Sequence, residues 1–115
     1  MFRVLKGLLA VSLSFVALDI AWLGWVASDF YGEHLGPLRA DQVVWTAAIL
    51  FYVQYLLVVL LFAVLPSKSL KVAAQRGAFI GWIAYATYEL TNWAVIEAWP
   101  AELVLVDIVW GVCLT

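Results

Sequence analysis

Leu8-Leu-Ala-Val-Ser-Leu-Ser-Phe-Val-Ala-Leu-Asp-Ile-Ala-Trp-Leu-Gly-Trp-Val-Ala27 is the stretch on which the fold turns. Its length matches the roughly 20 apolar residues that a helix needs to cross a bilayer. Arg3 and Lys6 precede it, as basic residues precede a secretory signal, but the run is longer than a signal core. It also carries Asp19 in its middle, which a signal core avoids. The stretch therefore reads as a retained membrane helix.

Three more apolar segments follow, at about 43–65, 70–97 and 101–115. Gly36-Pro37 breaks the chain after the first segment, and Asp41 can cap the second. Pro66 ends the second, and Ser67 or Ser69 can cap the third. Trp99-Pro100 makes the last turn, with Glu102 in the acidic first turn of the fourth segment. That fourth segment rises only about 22 Å as a helix against a hydrocarbon core of about 30 Å. The sequence thus predicts a helix that ends inside the membrane or continues past Thr115. No segment alternates as a membrane strand does.

Composition agrees: 67% of the residues are hydrophobic and 12% are charged. A soluble domain is nearer half apolar and a quarter charged, and a small one has little interior in which to hide the excess. The expectation is an all-α, integral membrane four-helix bundle forming a single domain over residues 1–115. Arg3, Lys6, Lys68, Lys71 and Arg76 fall on one side of such a bundle. Asp29, Glu33, Asp41, Glu97 and Glu102 fall on the other, with Arg39. The positive-inside rule makes the basic side, and with it both chain ends, cytoplasmic. Trp25, Tyr31, Trp45 and Trp99 then read as an aromatic belt at the opposite interface.

Three carboxylates, Asp19, Glu89 and Asp107, lie within the apolar segments, with no Lys, Arg or His at their depth. A charge at the bilayer centre costs roughly 3 kcal/mol on insertion scales. The three are therefore expected to be protonated, to share protons, or to hold a cation. Helical spacing puts Asp19 on a stripe with Trp22, Glu89 with Tyr85 and Asn92, and Asp107 with Trp110. The second segment adds Gln54, close to Tyr52 and Tyr55. Polar groups in a membrane face the bundle interior, so these residues are expected to converge on a polar, aromatic-walled core. The plainer reading is helix glue, with Asp19–Trp22 and Asp107–Trp110 satisfied locally through the indole N–H. Gly77-Ala-Phe-Ile-Gly81 is a GxxxG motif, which permits close helix approach within one chain or between two.

Most chemistries are excluded. A net charge of −2 leaves no basic footprint for nucleic acid. One histidine and one cysteine cannot make a His/Cys zinc site. His34 reads as a solvated loop residue and Cys113 as a packing residue. There is no Ser/His/Asp set, no Glu-x-x-His pair, no phosphate loop and no dinucleotide fingerprint. No catalytic residue, metal site or cofactor is assigned, and the balance leans against an enzyme.

Several stretches together carry a resemblance: Leu18-Asp-Ile-Ala-Trp-Leu-Gly24, Phe30-Tyr31, Leu35-Gly36, Phe51-Tyr52, Tyr85-Ala-Thr-Tyr-Glu-Leu-Thr-Asn92, Trp99-Pro100 and Asp107-Ile-Val-Trp-Gly111. In this order they resemble an uncharacterised family of small bacterial inner-membrane proteins, domain of unknown function 2177. The resemblance implies four helices in a bacterial inner membrane and assigns no activity. Glu89 stands where that family usually has Asp. Three readings stay open. One is a module that binds or transports a proton, a cation or a lipophilic ligand. Another is an accessory subunit packed against a larger bioenergetic complex. The third is a lipid-modifying enzyme. Beyond the bilayer, a larger membrane complex or a homo-oligomer is the expected partner, and nucleic acid is not.

Overall fold

The computed structural model describes residues 1–38 and 42–115, so Arg39 and Asp41, with the cap expected of it, lie outside the described residues. Within them the regular structure is entirely helical, without strands. Helix α1, Phe2–Ala21, continues through a wider π-helical turn, Trp22–Val26. Helix α2, Ser28–Leu35, runs into a short 3-10 turn, Gly36–Leu38. Helix α3, Trp45–Val58, continues through a second π-helical stretch, Val59–Val64. Helices α4, Leu70–Val95, and α5, Ala101–Leu114, complete the molecule, which measures 45 × 25 × 24 Å. Two rods, Phe2–Val26 and Trp45–Val64, are long and apolar enough to cross a membrane.

The segment boundaries follow the chemistry of their ends. Ser69 caps α4, its side-chain oxygen accepting from the Val72 N–H at 3.3 Å. Pro100 sits at the N-cap of α5 and Glu102 in its first turn. Pro66 has no N–H to give the carbonyl four residues earlier, which belongs to Phe62. The guanidinium of Arg76 supplies the missing donor at 3.2 Å, and Arg3 donates to the Leu65 carbonyl at 2.6 Å. Two basic residues from α1 and α4 thus close the exposed end of the α3 rod, where a helix carries partial negative charge.

Helix α2 departs from the expected loop. Its sequence is too polar to register as an apolar segment, and its amphipathicity is what folds it. Ala27, at φ −117° and ψ 12°, turns the chain out of the first rod. Tyr31 then buries against Trp99, Leu103 and Val104 at the end of the molecule away from Arg3. His34 is accordingly a helical residue, its ring against Phe30.

The GxxxG motif works within the chain. Gly77 and Gly81 face Gly111 and Thr115, and this α4–α5 interface is the most extensive in the molecule. A Cβ on Gly81 would lie 2.8 Å from the Gly111 carbonyl carbon, and one on Gly111 would lie 2.7 Å from the Tyr85 Cβ. Only glycine allows that approach. Phe15, Tyr55, Leu56, Val59, Ala63 and Leu114 form the adjoining apolar core.

Candidate functional site

All three interior carboxylates are buried: Asp19 is 6% exposed, Asp107 7% and Glu89 1%. Each is held by aromatic donors rather than by a cation. Asp19, on α1, accepts from the Tyr52 hydroxyl of α3 at 2.6 Å and, at the long limit of 3.5 Å, from the Trp110 indole of α5. Asp107, on α5, accepts from the Tyr31 hydroxyl of α2 at 2.6 Å. That hydroxyl in turn accepts from the Trp22 indole at 3.1 Å. Glu89, on α4, accepts from the Trp99 indole at 2.7 Å. The two 2.6 Å bonds fall in the range of strong O–H···carboxylate bonds.

The indoles do not serve the carboxylates on their own helices. Trp22, three residues after Asp19, reaches the Tyr31–Asp107 pair. Trp110, three residues after Asp107, reaches Asp19. The two indole planes stack face to face where they cross, 4.4 Å apart and 9° from parallel. The π-helical turn that starts at Trp22 widens the helix there, and such turns are often found at functional positions. The exchange ties the first rod to α5 through one direct hydrogen bond, one stack and a two-bond bridge over Tyr31 of α2.

Glu89 and Asp107 sit on the packed helices α4 and α5. One Glu89 oxygen is taken by Trp99, and the other, Oε1, is buried with no hydrogen-bond partner among the described residues. The chain of contacts therefore runs Tyr52–Asp19–Trp110, across the stack to Trp22, then Tyr31–Asp107, and the Glu89–Trp99 pair is separate from it. Burial above all, and then the bond to Asp107, pushes the Tyr31 hydroxyl above the ordinary tyrosine range, so it remains a donor.

Of the eight residues expected to converge, Asp19, Asp107, Trp22 and Trp110 do so, and Glu89 is buried on the helix packed against that of Asp107. Tyr85 lies beside them, half-buried, its ring on the Gly111 backbone and 6.5 Å from that of Tyr55. Asn92 is half-buried on α4, three residues beyond Glu89, and makes none of the side-chain hydrogen bonds described. Gln54 does not join. Tyr52 and Tyr55 turn inward, and Val53 and Gln54 between them are carried to the exposed side of α3. Two residues read as interfacial anchors are instead interior donors, Tyr31 at 5% and Trp99 at 9% exposure, whereas Trp25 and Trp45 are exposed. Buried carboxylates without basic neighbours require neutral donors, and that requirement is the signal that could have drawn Tyr31 and Trp99 inward.

Two clefts open toward the end that carries Arg3 and Arg76. One is lined by Val58, Phe62, Val72, Gln75, Arg76, Phe79 and Ile80. The other lies among Gly7, Ser14, Phe15, Val59 and Thr115. Neither is lined by any of the three carboxylates. No group of three or more His, Cys, Asp or Glu side chains placed to hold a metal ion occurs among the described residues.

No curated protein and no solved structure matches the chain significantly. A family model does, over residues 4–115, and its description is "Predicted membrane protein (DUF2177)". The match spans both ends of the hydrogen-bonded network and the glycine interface between α4 and α5, and the chain belongs to this family of helical membrane proteins.

Proposed function

We propose that the chain is a four-helix bundle of the bacterial inner membrane that binds a proton at a buried carboxyl pair, Glu89 and Asp107. The bundle reading is supported by the lengths of its rods. Twenty-five residues from Phe2 to Val26 and 26 from Leu70 to Val95 give about 37 and 39 Å of helix, more than the hydrocarbon thickness. Large apolar side chains such as Leu13, Ile49, Phe79 and Leu105 are exposed along the flanks, a surface that lipid tolerates and water does not. Arg3 and Arg76 meet at one end of the α3 rod, and the positive-inside rule turns that end to the cytoplasm. Reporter fusions at Glu33 and Glu102 should then read periplasmic, and one at Lys71 cytoplasmic.

The proton reading rests on one observation. Glu89 Oε1 is buried with no hydrogen-bond partner among the described residues, on the helix packed against the one that carries the buried Asp107. Two buried carboxylates on packed helices, without a cation, repel, and a single proton between them satisfies both groups. A metal cation is disfavoured because one oxygen of each carboxyl already accepts, from Tyr31 and from Trp99. A lipid-modifying enzyme would need a substrate-sized opening beside Glu89, and the two clefts lie elsewhere.

Infrared spectroscopy of the protein in vesicles tests the reading. A protonated-carboxyl carbonyl band is expected at neutral pH, lost in Glu89→Gln and displaced in frequency by Tyr31→Phe. Absence of that band from the wild-type protein at neutral pH would refute a shared proton.

A further inference from the structure

The cleft between the end of the α3 rod and the start of α4 has a volume of about 630 Å³. Its walls are apolar, with Phe62 and Phe79 each more than half exposed on either side. Its rim is not. Arg76 and Gln75 stand there, and Lys71 lies one helical turn below Gln75 on the same stripe of α4. The guanidinium is held in place by its bond to the Phe62 carbonyl, which uses one of its five N–H donors.

No Asp or Glu side chain from the segments that line the cleft competes for the others. The sequence has no Asp or Glu from residue 1 to 18 or from residue 42 to 88. A cationic rim over an apolar cleft, with no Asp or Glu in the segments that form it, is complementary to an anion that carries a hydrocarbon tail. From Val72 to Ile80 the cleft follows α4 for about 12 Å, long enough to take the upper part of one acyl chain. Basic clefts between helices on the cytoplasmic side bind anionic headgroups in this way.

From this charge complementarity we infer that the α3–α4 cleft is a binding site for an anionic phospholipid, its phosphate on Arg76 and Lys71 and one acyl chain between Phe62 and Phe79. The inference rests on the membrane-bundle reading and is independent of the proton.

The test is thermal unfolding of the purified chain in detergent, with added phosphatidylglycerol, phosphatidylcholine or inorganic phosphate, beside reconstitution into vesicles of the two lipids. Phosphatidylglycerol should raise the wild-type midpoint, and neither phosphatidylcholine nor inorganic phosphate should. Arg76→Gln should weaken the apparent affinity for phosphatidylglycerol by about fivefold or more, one cation being worth roughly 1 kcal/mol at such a surface. Gln75→Glu, an exposed change that gives the guanidinium an anion of its own, should do the same. Each variant is compared with itself, with and without lipid, so a lower basal midpoint does not blur the result. Equal responses to the two lipids, an equal response to free phosphate, or wild-type behaviour of both variants would overturn the site. A chain that reconstitutes without lipid preference overturns this site alone, whereas one that will not reconstitute into either vesicle overturns the membrane reading too.

Discussion

The two halves of the molecule are held together by different physics. At the end bearing Arg3 and Arg76, α4 and α5 meet through glycine, backbone against backbone, and Phe15, Tyr55, Val59, Ala63 and Leu114 fill the space beside them. At the other end the contact is polar. Three carboxylates are distributed among aromatic donors that come from four different helical or turn segments. Within a bilayer apolar side chains gain little from one another, because lipid is as apolar as they are, so association has to come from close packing or from hydrogen bonds. This chain uses one device at each end. The glycine interface requires an absence of side chain, and the carboxylate network requires particular atoms at particular places.

Substitutions that harm one device and spare the other sharpen the contrast. Gly111→Leu drives a side chain into Tyr85 and should cost roughly 3 kcal/mol, the upper range for overpacking, read as loss of folded protein in a denaturing-detergent titration. Glu89→Ala leaves the Trp99 indole without an acceptor and should cost about 2 kcal/mol, whereas Glu89→Gln, which still accepts, should cost about 0.5 kcal/mol. Tyr31→Phe breaks the bond to Asp107 and strands the Trp22 indole, for about 1.5 kcal/mol; Trp22→Phe, which keeps part of the stack, should cost about 1 kcal/mol. Gln54→Leu, on the exposed side of α3, should change stability by less than about 0.5 kcal/mol. A larger cost there would return Gln54 to the interior and break the comparison.

The sequence made the rods legible and the cross-connections not. The apolar runs beginning near Val43, Leu70 and Ala101 end within a residue or two of the observed helices, because Pro66, Ser69 and Pro100 act locally. The carboxylates were legible too, since an acid in an apolar run has no other reason to persist. Their partners were not. Whether Trp99 floats at an interface or turns inward to Glu89 depends on how α4 and α5 are rotated, and helical spacing within one segment carries no information about that. Helix α2 was missed for the converse reason. Its eight residues hold one buried side chain, Tyr31, which gains its meaning from Asp107, 76 residues further on.

The exchange of indoles between α1 and α5 also sets an order of events at the ribosome. Asp19 emerges early, while its donors Tyr52 and Trp110 lie 33 and 91 residues downstream. At roughly 5–20 residues per second, the wait for Trp110 is about 5–18 s. Throughout it, the first helix holds an acid in the bilayer at a cost of about 3 kcal/mol, offset by the apolar residues around it. When α5 follows, a vacant acceptor on the first helix and the glycine face of α4 are already waiting for it, so its docking supplies the last donor to Asp19 and fills the glycine face together.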